Sequence, residues 1–170
     1  MVRKAQAPSR GRFPKESGEQ VQLFKWAAQF NTLNTLLFAI PNGGGRHPAE
    51  AVHLRRQGVK PGVPDIFLPV PSVDGRFHGL FIELKRRKPR GRLSDEQAEF
   101  IRVLGYEGYR VQICYGWAEA AIEIVDYLDW NRDYLKEIAR LDSLFLQSHG
   151  ITPDVTSCRY LAGPVLNQSV

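Results

Sequence analysis

Three side chains in two short apolar runs have the types and spacing to do chemistry together. The first run is Gly62-Val63-Pro64-Asp65-Ile66-Phe67-Leu68, and the second is Gly79-Leu80-Phe81-Ile82-Glu83-Leu84-Lys85. Pro69, Pro71, Ser72, Asp74 and Gly75 lie between them, so the segment reads as two neighbouring strands joined by a loop. Asp65 opens the first strand. Glu83 and Lys85 are two apart and share one face of the second. Charges in an apolar strand are costly to bury unless they are paired or bound to a metal. Asp65 and Glu83 together suit a hard cation such as Mg²⁺, which takes one or two carboxylates and keeps its other positions for water and phosphate oxygens. Lys85 adds a compact positive charge beside them, able to orient or deprotonate a water or to offset charge on a reacting phosphate. The same residues also describe an edge strand carrying a solvated Glu-Lys pair, and the spacing alone does not separate the two readings.

The flanking residues carry more. Gly58-Val59-Lys60-Pro61-Gly62-Val63-Pro64-Asp65-Ile66 is followed by Phe81-Ile82-Glu83-Leu84-Lys85 and then by Leu93-Ser94 with Gln97. In order, residue type and spacing this resembles the virus-type replication-repair nuclease (VRR-NUC) domain, of the PD-(D/E)xK nuclease superfamily, over about residues 16 to 120. The resemblance implies an α/β fold: a restriction-endonuclease-like mixed sheet flanked by helices, with core order α-β-α-β-β-α-β. It implies metal-dependent hydrolysis of DNA phosphodiesters, with Mg²⁺ as cofactor and Mn²⁺ able to substitute. Asp65 and Glu83 would hold the metal, helped by the Leu84 backbone carbonyl and a glutamate on the first helix. The Gln20-x-x-Leu23-Phe24-x-Trp26 spacing selects Glu19 for that glutamate, with Glu16 in reserve. Lys85 would position or activate the attacking water. Gln97 is placed near the active site by the same resemblance. Asn42 and Arg46, in a Pro-Asn-Gly stretch, would line the cleft. Stand-alone members of the family look like phage or bacterial homodimers acting on four-way junctions, which implies a cytoplasmic protein and branched DNA as partner.

Composition is compatible with this. The chain has 170 residues, a formal net charge of +5 and two distant cysteines, Cys114 and Cys158. Its pI of about 9.4 suits an anionic partner without choosing between DNA, RNA and membrane. The length suits one domain with a real core. No apolar run approaches a membrane span and no signal-peptide pattern opens the chain. The cysteines form neither a zinc pattern nor a disulfide framework, so an intracellular, reducing compartment is expected. The four histidines show no ligand spacing, and no Ser-His-Asp or Cys-His nucleophilic set is present.

The rest of the chain must position the three charges. Residues 1–15 carry five basic residues and no acid, and read as a disordered basic tail. A helix is expected over 17–30, with Val21, Phe24 and Ala28 at helical spacing and Leu23 and Trp26 beside them. Its early acid, Glu19, has an ordinary explanation in the helix dipole. A strand is expected over 36–40. A short helix follows over 48–57, stopped by Gly58. Arg55, Arg56 and Lys60 near its end are candidate contacts to the DNA backbone, or simply a solvated face. Residues 86–92, with Arg86, Arg87, Lys88 and Arg90, form the densest positive segment, suited to sequence-independent phosphate binding. Ser94 and Gln97 form a capping box, which gives Gln97 a structural role beside its active-site one. Helix, strand and helix then follow at about 95–105, 109–115 and 118–128.

The nuclease domain is expected over 16–128, with a C-terminal helical extension and tail over 129–170. There Tyr134, Ile138, Leu141 and Phe145 form a stripe at helical spacing. With Trp130 it offers a homodimer interface, or packs on its own core. The principal alternative function is a catalytically inactive nucleic-acid-binding module. The basic loops support that equally well; the intact Asp65, Glu83 and Lys85 set argues against it. A phosphatase or nucleotide hydrolase using the same carboxylates would lack a phosphate loop.

Overall fold

The computed structural model describes residues 11–41 and 48–153, with residues 48–51 described by backbone alone. The expectations for Asn42, Arg46, Cys158 and most of the basic tail fall outside these residues. Helix α1 (Glu16–Ala27) carries Glu16 and Glu19 in its first turn and Lys25 in its last, matching the helix dipole. Its buried face is Glu19, Leu23, Trp26 and Ala27, whereas Val21 is exposed. The stripe expected from Val21, Phe24 and Ala28 is therefore rotated from the one the fold uses. Leu23 and Trp26 set the inward face, and one turn back that face lands on Glu19.

A separate helix α2 (Asn31–Leu36) replaces the tail of the expected first helix. Phe30 is extended between them, its ring packed against Trp26, Trp130 and Tyr134 at 4.9–5.3 Å between centroids. Leu33 and Leu37, four apart, are both buried, and this spacing was the overlooked helical signal. The expected strand over 36–40 shrinks to β1 (Phe38–Ala39). Helix α3 (Pro48–Arg56) follows, and Gly58 with φ +94° takes the chain out of it.

Strands β2 (Ile66–Leu68), β3 (Leu80–Lys85) and β4 (Arg110–Tyr115) complete a sheet of order β1-β2-β3-β4. The first two pairings are antiparallel and β3–β4 is parallel. The parallel pair needs a crossover, supplied by α4 (Asp95–Tyr106). Helix α5 (Trp117–Tyr127) then packs back on the sheet and α6 (Asp133–Ser148) packs on α5. The observed order is the expected α-β-α-β-β-α-β, with α2 inserted and two helices appended.

One face of the sheet makes the core. Ile66, Leu68, Leu80, Ile82, Leu84 and Cys114 are buried with Leu23, Trp26, Trp117 and Ile124 of α1 and α5. On the other face Phe67 stacks on Phe81 at 4.1 Å, with Tyr109 edge-on. That face also carries Glu83 and Lys85, and α4 buries no residue fully. The α6 stripe faces inward apart from Tyr134, which is exposed. Ile138 is fully buried, and Leu135, Leu141, Phe145 and Trp130 pack against the same core. The surface expected to be available to a second chain is therefore occupied within the protein itself, because α5 leaves an apolar back that α6 covers. Among the described residues no helix is long and apolar enough to cross a membrane.

Candidate active site

The β2–β3 register pairs Ile66 with Ile82, so the next position outward sets Asp65 opposite Glu83. Asp65 is further fixed by the Leu84 amide, which donates to its Oδ2 at 2.9 Å. The approach to Asp65 depends on glycine. Gly62 has φ +87°, and a Cβ there would lie 2.4 Å from the Glu96 carbonyl oxygen. Only a residue without a side chain lets this loop lie backbone-to-backbone on the start of α4.

That contact brings Gln97 over the strand. Lys85 Nζ lies 2.7 Å from Glu83 Oε1 and donates to Gln97 Oε1 at 2.9 Å. Gln97 Nε2 donates to Glu83 Oε1. The same Gln97 Oε1 accepts from the Ser94 amide at 3.0 Å, and the Gln97 amide donates back to Ser94 Oγ. The helix cap and the contact to Glu83 and Lys85 are thus one arrangement, made by one side chain. The capping box fixes Gln97 in the rotamer that meets Glu83 and Lys85.

Glu83 is almost fully buried, and its Oε2 has no hydrogen-bond partner. Burial pushes its carboxyl up to about 7. The hydrogen bond from Lys85 opposes the shift, while the Asp65 and Glu16 charges add to it. Asp65 is also raised, by burial first, against the Leu84 amide and Lys85, with Glu16 adding to the rise. Three carboxylates thus face one lysine, and the site lacks positive charge. No three His, Cys, Asp or Glu side chains among the described residues form a ready-made metal cage. An ion that takes two carboxylates and completes its shell with water and substrate oxygens fits this donor set. The unpartnered Glu83 Oε2 is a buried acceptor ready for it.

The helix carboxylate beside this group is Glu16. It is exposed at the mouth of the site and its Oε1 accepts from the Arg86 amide at 3.1 Å. Glu19 is elsewhere. It is fully buried, its Oε1 is 2.8 Å from Arg87 Nε, and its Oε2 accepts from Arg87 Nη2 and from the Trp117 amide, both at 2.9 Å. Arg87 also grips Asp142 of α6 with Nη1 at 2.8 Å and Nη2 at 2.6 Å. Burial works against the charge on Arg87, but Asp142 and then Glu19 outweigh it and hold the guanidinium firmly protonated. Glu19, expected as a metal ligand, and Arg87, expected as a phosphate contact, are instead paired with one another.

Of the remaining basic candidates, Arg55, Arg56, Lys60, Lys88 and Arg90 are exposed. Arg90 lies over the Tyr115 ring at 3.9 Å and Lys88 over Phe13 at 5.2 Å. Arg86 is half-buried and donates to the Pro89 carbonyl. The loop after β3 folds back on the site. A Cβ at Gly91 would stand 3.2 Å from Lys85 Cδ and 3.3 Å from Glu16 Oε1.

The VRR-NUC domain model matches residues 3–118 of this sequence. The chain belongs to the VRR-NUC domain family. Its domain is therefore of nuclease type. A solved structure described as a VRR_NUC domain protein aligns with a TM-score of 0.59 at 24% identity, covering 69% of this chain and 91% of that one. That likeness establishes the shared fold. No curated protein matches. The family match ends at the start of α5, so Asp142 and the rest of α6 lie beyond it.

Proposed function

We propose that this chain is a divalent-metal-dependent endodeoxyribonuclease acting on branched DNA. The observation that carries the reading is the opposed pair Asp65 and Glu83, with a buried, unpartnered Glu83 oxygen, beside Lys85. Asp65 and Glu83 would hold Mg²⁺ or Mn²⁺, with Glu16 in place of Glu19 and the Leu84 carbonyl as a further ligand. The bound ion would supply Lewis acidity and lower the pKa of a bound water. Lys85 holds positive charge at the reacting centre, where it orients the water and offsets charge on the phosphate. Gln97 keeps Lys85 and Glu83 in register with one another. In the reaction a water oxygen bonds to phosphorus, a phosphorus–oxygen ester bond breaks, and the leaving oxygen takes a proton.

Exposed Arg55, Arg56, Lys60, Lys88 and Arg90 supply the sequence-independent grip on the DNA backbone. Symmetric cutting of a branched molecule needs two sites, which a two-fold homodimer provides. Its interface must lie outside the α6 stripe. The test is digestion of linear duplex, single strand and a four-way junction, each with Mg²⁺, with Mn²⁺ and with chelator. Cleavage with metal, strongest on the junction, is the expected result. Binding without cleavage under all conditions would return the chain to the inactive-module reading. Light scattering at micromolar concentration should give twice the chain mass of 19.3 kDa.

A further inference from the structure

Arg87 sits two residues beyond Lys85, and Glu19 sits one helical turn beyond Glu16. One guanidinium therefore ties the strand end that presents Lys85 to the helix start that presents Glu16. Asp142 adds a third element, α6. The room for this was made by Gly116, where a Cβ would lie 2.1 Å from Arg87 Nε. Its positive φ of +98° also lets α5 start so that the Trp117 amide reaches Glu19.

Such a cluster is a poor way to gain stability. Desolvating the charges offsets most of their attraction, and an apolar substitute of equal volume is often as stable. What a forked arginine, bonded through both terminal nitrogens, supplies instead is geometry: its planar donors fix the angle of each carboxylate they bind. We propose that Glu19, Arg87 and Asp142 are positioning residues that hold Glu16 and Lys85 in the active site. Helix α6, outside the matched family region, is then part of the catalytic unit. This inference rests on the nuclease reading for its consequence, and on Arg87 geometry for its cause.

The test compares Asp142→Asn with the wild type in the full chain, with Arg87→Lys as a second variant that keeps the charge and loses the fork. Four quantities are measured: Mn²⁺ affinity by calorimetry, single-turnover cleavage, DNA affinity with its salt slope, and amide hydrogen exchange. The expected result is Mn²⁺ affinity and cleavage rate each lowered ~10–100-fold, the range seen when groups that orient metal ligands are lost. DNA affinity and its salt slope should hold, while the Arg86 and Trp117 amides, which donate to Glu16 and Glu19, exchange faster. A fall in melting temperature alone, with metal affinity and both amides unchanged, would overturn the proposal and leave the cluster purely structural. A fall in DNA affinity and salt slope with metal affinity intact would overturn it in favour of a phosphate contact. If the wild type binds Mn²⁺ but cuts no DNA, the nuclease reading fails. Metal affinity and exchange still decide the positioning role.

Discussion

Two charge clusters flank the end of one strand, and they differ in how their charges are met. Around Arg87 both carboxylates, Glu19 and Asp142, touch the guanidinium, and the Trp117 amide donates to the same Glu19 oxygen that Arg87 Nη2 holds. Around Glu83 the excess of acid is larger. Asp65, Glu83 and Glu16 share one lysine, and the Asp65 and Glu83 carboxyls are both raised. The Arg87 cluster is held by its own ion pairs. The Glu83 cluster carries the raised carboxyls of the kind found at sites of chemistry. Burial does not distinguish them, since Glu19 and Glu83 are equally hidden.

Removing charges from the Glu83 cluster should affect cleavage most. Asp65→Asn, Glu83→Gln and Lys85→Ala should each lower single-turnover cleavage by on the order of 10³-fold or more, equivalent to ~4 kcal/mol of transition-state stabilisation, while DNA binding measured by anisotropy persists. Cleavage at the wild-type rate in either carboxylate variant would remove the metal assignment.

The Arg87 cluster should respond in stability first. Glu19→Ala leaves a buried guanidinium short of a partner and should cost about 3–5 kcal/mol of folding free energy in urea titrations. Glu16→Gln, on an exposed residue one turn away, should lower cleavage and leave the denaturation midpoint unmoved. The reverse pattern would restore Glu19 as the metal carboxylate.

A third effect has the opposite sign. Glu83 has its folded carboxyl raised from 4.5 to about 7. The folded protein therefore holds this proton more tightly than the unfolded chain. Its contribution is fully present below pH 4.5 and is lost as pH rises to 7. Metal-free Glu83→Gln, which cannot ionise, should be more stable than the wild type at pH 8 by on the order of 1–3 kcal/mol. The two should converge near pH 4.5, as read by thermal melts in chelator. Equal stability at pH 8 would mean that Lys85 and Gln97 already satisfy the Glu83 charge.

The smallest effect belongs to the surface. Replacing Lys88 and Arg90 together by Ala should weaken DNA binding several-fold and reduce the salt slope by about 2. Arg87→Lys, by contrast, should leave that slope alone.

Much of the site was legible because it is local. Strand alternation puts Glu83 and Lys85 on one face, and Ser94 with Gln97 announces a helix cap, since both patterns depend on residues a few positions apart. The Gly62 loop is readable for the same reason: a positive φ leaves its mark as glycine. The helix carboxylate was not legible. Glu16 and Glu19 are both good first-turn acids, and only the direction in which Leu23 and Trp26 pack tells which one is turned into the core.

Arg87 was even less accessible, lying in a run of six basic residues between positions 85 and 92 where each looks like its neighbours. Sequence by itself determined the order of elements, the Asp65, Glu83 and Lys85 set and the helix cap at Ser94, because short-range periodicity and turn chemistry specify them. Tertiary structure alone decided that Arg87 pairs with Glu19 and Asp142, that α6 closes on the core, and that Glu16 rather than Glu19 lies beside Asp65 and Glu83. The pairing of a buried charge depends on what arrives from far along the chain, and Asp142, 55 residues beyond Arg87, leaves no trace in the local sequence around it.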